Sequence, residues 1–241
     1  MEKIRIMLAG PSGVGKTTLA ETISKHLNIP FVSGSFSDAV PSTRNIQQKN
    51  MIDEATMNME IQAVKNRLEI YKQNPSFISD RSFLDNMAYG NHKLSYRVTT
   101  CDIIDLYKFC SKLLLDYCDV LILVPYDYVY MSGSWEIKGN NKRVTNAIFQ
   151  DLMTTIFRRV LDMAFSQDKA GAKSLDDGQS IYGITYGIQR NPQFDEAGEV
   201  IGKVTKVIEL KPNALVFGKM PEENNWFEDL IKYIKWLREN L

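Results

Sequence analysis

The chain has 241 residues, carries 29 Lys and Arg against 29 Asp and Glu, and is 44% hydrophobic and 24% charged. That size suits one α/β domain or a domain with an elaboration, and the zero net charge argues against a broad nucleic-acid surface, though not against a local basic patch. Three cysteines without C-x-x-C spacing and two histidines do not support a structural zinc site, no run approaches the roughly 18 apolar residues of a membrane span, and the N-terminus enters a strand with no leader pattern, so reduced thiols in a cytoplasmic setting are expected.

The first element is an apolar strand over 3–9, with the run Ile4-Arg5-Ile6-Met7-Leu8-Ala9. It feeds Gly10-Pro11-Ser12-Gly13-Val14-Gly15-Lys16-Thr17-Thr18, a complete G-x-x-x-x-G-K-[ST] phosphate-binding loop. A helix over 15–27 follows, with Leu19, Ile23 and Leu27 at helical spacing. The chemistry needs each part. Glycine lets the backbone bend around an anion, and successive N–H groups and the helix N-terminus then point at it. Gly10, Ser12, Gly13, Val14, Gly15, Lys16, Thr17 and Thr18 are therefore the candidate nucleotide-binding residues. Lys16 is expected to reach the β- and γ-phosphates, and the Thr17 hydroxyl to ligate Mg²⁺.

Asn28-Ile29-Pro30-Phe31-Val32 reads as a short second strand, and Ser33-Gly34-Ser35-Phe36-Ser37-Asp38 as the loop at its carboxyl end. In an open α/β sheet such loops face the ligand crevice, which makes Ser35 and Phe36 candidate substrate contacts. Residues 44–74 read as a helix whose stripe is Met51, Ala55, Met59, Ala63 and Leu68, with Ile52 and Ile70, stopped by Pro75. Phe77-Ile78-Ser79-Asp80 is a third strand ending in an acid, followed by Arg81-Ser82 and a helix from about Phe83. Asp80 at that position either caps the next helix, with Arg81 solvated, or stands at the mouth of the crevice.

A helix over 102–118 carries or borders all three cysteines, read as packing residues. Residues 119–124 are the clearest buried strand, near-continuously apolar and ended by Pro125. The stretch Gly133-Ser134-Trp135-Glu136-Ile137-Lys138-Gly139-Asn140-Asn141-Lys142-Arg143 is polar and basic, either a solvated loop or a segment that closes over phosphates. Helix 146–165 has Ile148, Leu152, Ile156, Val160 and Phe165 expected inward and Arg158-Arg159 on its flank. After a polar linker over 166–180, Ile181–Ile188 and Val200–Leu210 read as the two strands of a hairpin with a long tip. One of these, or Ala214-Leu215-Val216-Phe217, has to supply the last sheet strand. The chain closes on a helix over about 224–240.

A phosphate loop on the first strand, Asp-Arg on the third and a basic segment after the fourth together resemble the nucleoside and nucleotide kinase group of P-loop proteins. The resemblance covers about 1–165 and the final helix. Ile78-Ser79-Asp80-Arg81-Ser82 is similar to the Asp-Arg or Glu-Arg motif of thymidylate kinases and deoxynucleoside kinases. Phe83-Leu84-Asp85-Asn86-Met87-Ala88-Tyr89 resembles the matching stretch of ribosylnicotinamide-kinase-type ATPases. Small members of the group are common in phage genomes. The resemblance implies a three-layer α/β P-loop NTPase fold, with a mostly parallel sheet and helices on both faces; the C-terminal β-hairpin insertion at about 179–210 departs from it, with no counterpart in the small kinases. The same resemblance implies a single kinase domain over 1–241 with a lid at about 133–146. It also implies ATP and Mg²⁺ as cofactors, and catalytic roles for Lys16, Asp80, Arg81 and Arg143. Asp80 would act as general base or order the metal. Arg81, Arg44, Trp135 and Lys142 would contact the acceptor or the phosphoryl group in transfer. The strand at 120–124 ends without a Walker-type acid, which leaves the metal to Thr17 and Asp80, with Asp127 the nearest substitute.

Three functions follow as expectations. The first is phosphoryl transfer from ATP to a nucleoside or nucleoside monophosphate, by a monomer or homodimer. The second is an NTPase acting as a switch or assembly factor, which predicts hydrolysis without an acceptor. The third is a kinase acting on a base or end within a polynucleotide, with Lys138, Lys142, Arg143, Arg158 and Arg159 lining a groove and binding that falls steeply with salt.

Overall fold

The structure, a computed structural model, describes residues 3–34, 53–94, 100–126, 147–165, 182–189, 193–194, 200–201, 204–210, 222 and 225–240. In chain order these form β1 (Arg5–Ala9), α1 (Lys16–Leu27), β2 (Phe31–Val32), α2 (Asp53–Gln73), β3 (Phe77–Ser79), α3 (Phe83–Leu94) and α4 (Thr100–Tyr117). They continue with β4 (Val120–Leu123), α5 (Ala147–Phe165), β5 (Tyr182–Gln189), β6 (Gln193–Phe194), β7 (Val200–Ile201), β8 (Val204–Leu210) and α6 (Asn225–Asn240).

The main sheet runs β2-β3-β1-β4-β8-β5. Its first five strands are parallel, with Met7 in register with both Ser79 and Leu121, and Leu123 opposite Glu209. Parallel strands bury both faces, and side chains alternate across them. Ile6 and Leu8 of β1, Val120 and Ile122 of β4, and Ile208 of β8 pack on one face under α1 and α6. Met7, Ala9, Leu121, Leu123 and Val207 pack on the other under α2 to α5. The chain is a three-layer α/β P-loop fold.

The hairpin read from 181 to 210 belongs to this main sheet. β8 is the fifth parallel strand, and β5 lies antiparallel along it from Tyr182 opposite Leu210 to Gln189 opposite Val204. The tip between them carries the small antiparallel pair β6-β7.

Two helices present only part of the face expected: Ala63 and Val160 are buried and Leu68 and Ile156 pack against the core, but other positions differ. On α2 the buried positions are Met57, Glu60, Ala63, Val64, Arg67 and Tyr71, while Ile70 is exposed. The buried stripe therefore includes an acid and a guanidinium, and a count of apolar residues alone places it elsewhere on the helix. On α5, Ile148 and Leu152 point outward, at 75% and 47% exposure, and Met153, Phe157, Val160 and Leu161 are buried. Buried Thr154 accounts for the rotation. Its hydroxyl accepts the Tyr126 N–H at 2.9 Å just beyond β4 and donates to the Gln150 carbonyl at 3.1 Å.

Candidate active site

Parallel strands put the loops at their carboxyl ends on one edge, and that edge carries the motif residues. At Gly10 the backbone has φ +138°, and a Cβ there would lie 2.2 Å from the Val124 carbonyl oxygen. The end of β4 is pressed against the start of the loop, and its main chain is tied back by the Val124 N–H to the Ala9 carbonyl at 2.8 Å. No side chain fits between them. Gly15, with φ +85°, leads directly into α1, which has no side-chain cap and no acid in its first turn. The first-turn N–H groups of α1 therefore meet no competing carboxylate from their own helix, as an anion site requires.

Lys16 is buried, and its ammonium donates to the carbonyls of Gly10 at 2.6 Å and Pro11 at 2.5 Å. These two bonds aim the charge across the mouth of the loop. Beside it, the Thr17 hydroxyl donates to Asp80 Oδ2 at 2.6 Å. The other carboxylate oxygen, Oδ1, accepts the Gly34 N–H at 3.0 Å. Asp80 follows β3, the strand adjacent to β1, so strand order alone brings this acid to the phosphate loop. A carboxylate with both arms engaged is fixed in orientation.

Asp80 does not cap α3. Ser82 does, its hydroxyl accepting the Leu84 N–H at 3.1 Å, while the Asp85 carboxylate reaches back to the Ser82 N–H and hydroxyl at 2.9 Å each. That is a capping box with Asp in the third position. The other Asp85 oxygen accepts from Arg81 at 3.0 Å. Burial works against the Arg81 charge, but the neighbouring Asp85, Tyr89 and Asp80 outweigh it and push the guanidinium pKa above its ordinary value. Arg81 is thus a permanently charged, pre-oriented fork beside Asp80 and not a solvated side chain.

Two features of the site went unread in the sequence. Buried Arg67 of α2 donates to the Gly34 carbonyl at 2.7 Å, to the Ser82 carbonyl at 3.2 Å and to Asn86 Oδ1, and Asn86 Nδ2 in turn donates to Glu60 at 3.1 Å. The Gly34 peptide is held on its carbonyl side by Arg67 and on its N–H side by Asp80. A Cβ at residue 34 would come within 2.6 Å of Arg81 Cβ, so only glycine lets the loop after β2 pass this closely over β3. The sequence signal was available: Glu60, Arg67 and Tyr71 share one face of a helix. The second feature is Tyr89, one turn beyond Asp85 on α3, whose hydroxyl lies 2.9 Å from the Ser12 amide and 3.0 Å from Ser12 Oγ. Nothing local predicts a contact between residues 77 positions apart.

The structure thus brings together Gly10, Ser12, Gly15, Lys16, Thr17, Asp80 and Arg81. Ser35, Phe36, Arg44, Asp127, Trp135, Lys138, Lys142 and Arg143 lie outside the described residues. Arg158 pairs with Glu209 at 2.6 Å, near the carboxyl end of β8. Thr17 and Asp80 supply hard oxygens of the kind Mg²⁺ takes, a metal that usually completes its shell with phosphate and water. The residues present therefore fit a Mg²⁺–nucleotide complex.

Three comparisons with known proteins place the chain among others. The sequence profile of a family described as an AAA domain matches residues 5–136, which is 132 of the 241 residues. The ATP-binding subunit ClpX 2 of the ATP-dependent Clp protease of Wolinella succinogenes is 54% identical over 43 residues, or 18% of this chain. The match spans 10% of that subunit's length. Among solved structures, the YorR protein of Bacillus subtilis in complex with phosphorylated GDP is 19% identical, with a TM-score of 0.43 over 73% of this chain and 87% of that one. Deoxyadenosine kinase from M. mycoides is 17% identical, with a TM-score of 0.49 over 66% of this chain and 84% of that one.

Proposed function

The chain belongs to the AAA domain family of P-loop proteins, and from that premise we propose that it is a Mg²⁺-dependent phosphotransferase that moves the γ-phosphoryl of ATP to a nucleoside or nucleoside monophosphate. One observation carries the proposal: Asp80 directly follows β3, the strand adjacent to β1, with an oxygen 2.6 Å from the Thr17 hydroxyl. On this reading, a carboxylate there would stand where the phosphoryl group is handed over. It is close enough to take a proton from an acceptor hydroxyl or to hold a metal-bound water.

The remaining roles follow from charge. Lys16, held by the Gly10 and Pro11 carbonyls, would reach the β- and γ-phosphates of a bound nucleotide. Arg81, braced by Asp85, offers a bidentate fork to an acceptor phosphate or to the group in transfer. Mg²⁺, when bound by Thr17 and Asp80, supplies neutralisation of the β- and γ-phosphate charge. Lys142 and Arg143 are proposed to add positive charge from the basic segment, and Ser35, Phe36, Arg44 and Trp135 to contact the acceptor. Phosphoryl transfer asks mainly for positioning and charge stabilisation, which these residue types provide.

The test compares wild type with Asp80→Asn and Lys16→Ala in Mg²⁺–ATP and a panel of nucleosides and nucleoside monophosphates, with products identified by mass. A single acceptor gaining about 80 Da, the mass of one phosphoryl group, in wild type and in neither variant supports the proposal. Absence of any phosphorylated acceptor from a protein that binds ATP rejects it. Membership of the AAA domain family supports a second reading, ATP hydrolysis coupled to a partner. It predicts that ADP forms at the same rate with and without acceptors.

A further inference from the structure

The Tyr89 hydroxyl has a place that the reading above does not use. Among the described residues it makes two hydrogen bonds, both to Ser12: it accepts the Ser12 N–H at 2.9 Å and shares a hydroxyl–hydroxyl bond at 3.0 Å. Ser12 is the third residue of the phosphate loop, and the loop works by turning its backbone N–H groups toward an anion. One of those amides is instead directed at a phenol oxygen from another helix. The phenol is not loosely placed. Its ring meets Phe157 of α5 edge to face, with centroids 5.8 Å apart, and Phe157 is fully buried. Tyr89 also follows Asp85, the partner of Arg81, by one helical turn, so the same side of α3 carries the carboxylate that braces the guanidinium and the phenol.

We propose that Tyr89 is a further residue of the nucleotide site, whose hydroxyl stands in for a phosphate oxygen at the Ser12 amide and competes with the donor nucleotide for it. A neutral phenol oxygen is a weaker acceptor than a phosphate oxygen, so phosphate wins the exchange, but at a reduced net gain. The tyrosine thereby lowers donor affinity. Once displaced, its O–H becomes a donor on the acceptor side of the loop, next to Arg81. This inference rests on residues 10–17 being a nucleotide site and is independent of which acceptor is used.

Tyr89→Phe tests it, because the ring keeps its packing on Phe157 and only the hydroxyl is lost. The probes are the Mg²⁺ complex of the β,γ-imido analogue of ATP and inorganic tripolyphosphate, measured by calorimetry on the full chain. Both are expected to bind Tyr89→Phe about fivefold more tightly than wild type, the worth of one net hydrogen bond no longer surrendered on binding. Tripolyphosphate isolates the loop from any contact with the base. Ser12→Ala, which removes only one of the two bonds holding the phenol, is expected to move affinity in the same direction by a smaller factor. A merely structural tyrosine gives the opposite sign, since loosening the loop weakens binding. Equal or weaker binding by both variants overturns the inference, whereas failure of wild type to bind either probe overturns the nucleotide-site reading itself.

Discussion

At the scale of single residues, Asp80 is the position where chemistry and geometry coincide. Both of its oxygens accept hydrogen bonds, from Thr17 and from Gly34. Asparagine fills the same volume but turns an NH₂ toward one of those two donors. Asp80→Asn is therefore expected to lower kcat by about 100-fold or more while costing roughly 1–2 kcal/mol of stability, read by steady-state kinetics and urea unfolding. Gly10 makes a sharper structural case. Alanine there meets the Val124 carbonyl at 2.2 Å in a left-handed backbone, and Gly10→Ala is expected to cost about 3 kcal/mol and abolish nucleotide binding. Cysteine chemistry is also decided locally. Burial pushes the Cys110 thiol up to about 12, partly offset by Arg67 and reinforced by Glu60, and burial likewise raises Cys118 well above its usual range. Neither thiol should react with iodoacetamide until the chain unfolds, which peptide mapping of the labelled native protein checks. Asp80 and Arg81 stood out in the sequence because they end a strand and resemble the Asp-Arg motif of nucleotide kinases; position alone left a helix cap equally open. Their bracing was read less far: the Ser82-x-x-Asp85 capping box and the Glu60, Arg67 and Tyr71 face are local patterns that went unused, whereas the contact of Tyr89 with Ser12 spans distant elements and leaves no local pattern.

At the scale of elements, apolar periodicity finds helices well and their faces less well. The C-terminal helix α6 buries Phe227, Leu230, Ile231, Ile234 and Leu237 as its spacing predicts. On α2 and α5 the buried face includes Glu60, Arg67 and Thr154, polar groups that stay inside because each finds a hydrogen-bonding partner. The same limit applies to strands. The apolar pattern of β8 suits a parallel core strand or one arm of a hairpin equally, and it is both. The opposite edge of the sheet supplies a control. Asp119, just before β4, accepts the Arg5 N–H at 2.8 Å and a bidentate pair from the Arg5 guanidinium at 3.1 Å each. This pair joins β1 to β4 at the ends remote from the phosphate loop. Asp119→Ala is expected to destabilise the fold by about 3 kcal/mol, because it strands a largely buried guanidinium, and to leave nucleotide affinity unchanged at temperatures where the variant is folded.

At the scale of the molecule, the sheet is a device for bringing distant residues to one edge. Strand order places β3 beside β1, and residues 17 and 80 thereby come within a hydrogen bond. Among the described residues no helix is long and apolar enough to cross a membrane. A ligand that binds the folded edge and not the unfolded chain stabilises the fold by mass action: on the proposed function, Mg²⁺–ATP at 100 times its Kd is expected to add about 2.7 kcal/mol, a rise in Tm of several degrees that is absent in Lys16→Ala.

The fate of the γ-phosphoryl group tests the central claim most directly. ATP labelled at the γ-phosphate would be incubated with the protein, Mg²⁺ and pooled nucleosides and nucleoside monophosphates, and the label followed by chromatography. Phosphotransfer at the Thr17–Asp80 edge predicts label in one organic acceptor, dependent on Asp80. Label recovered only as inorganic phosphate, at a rate indifferent to the acceptors, would contradict it.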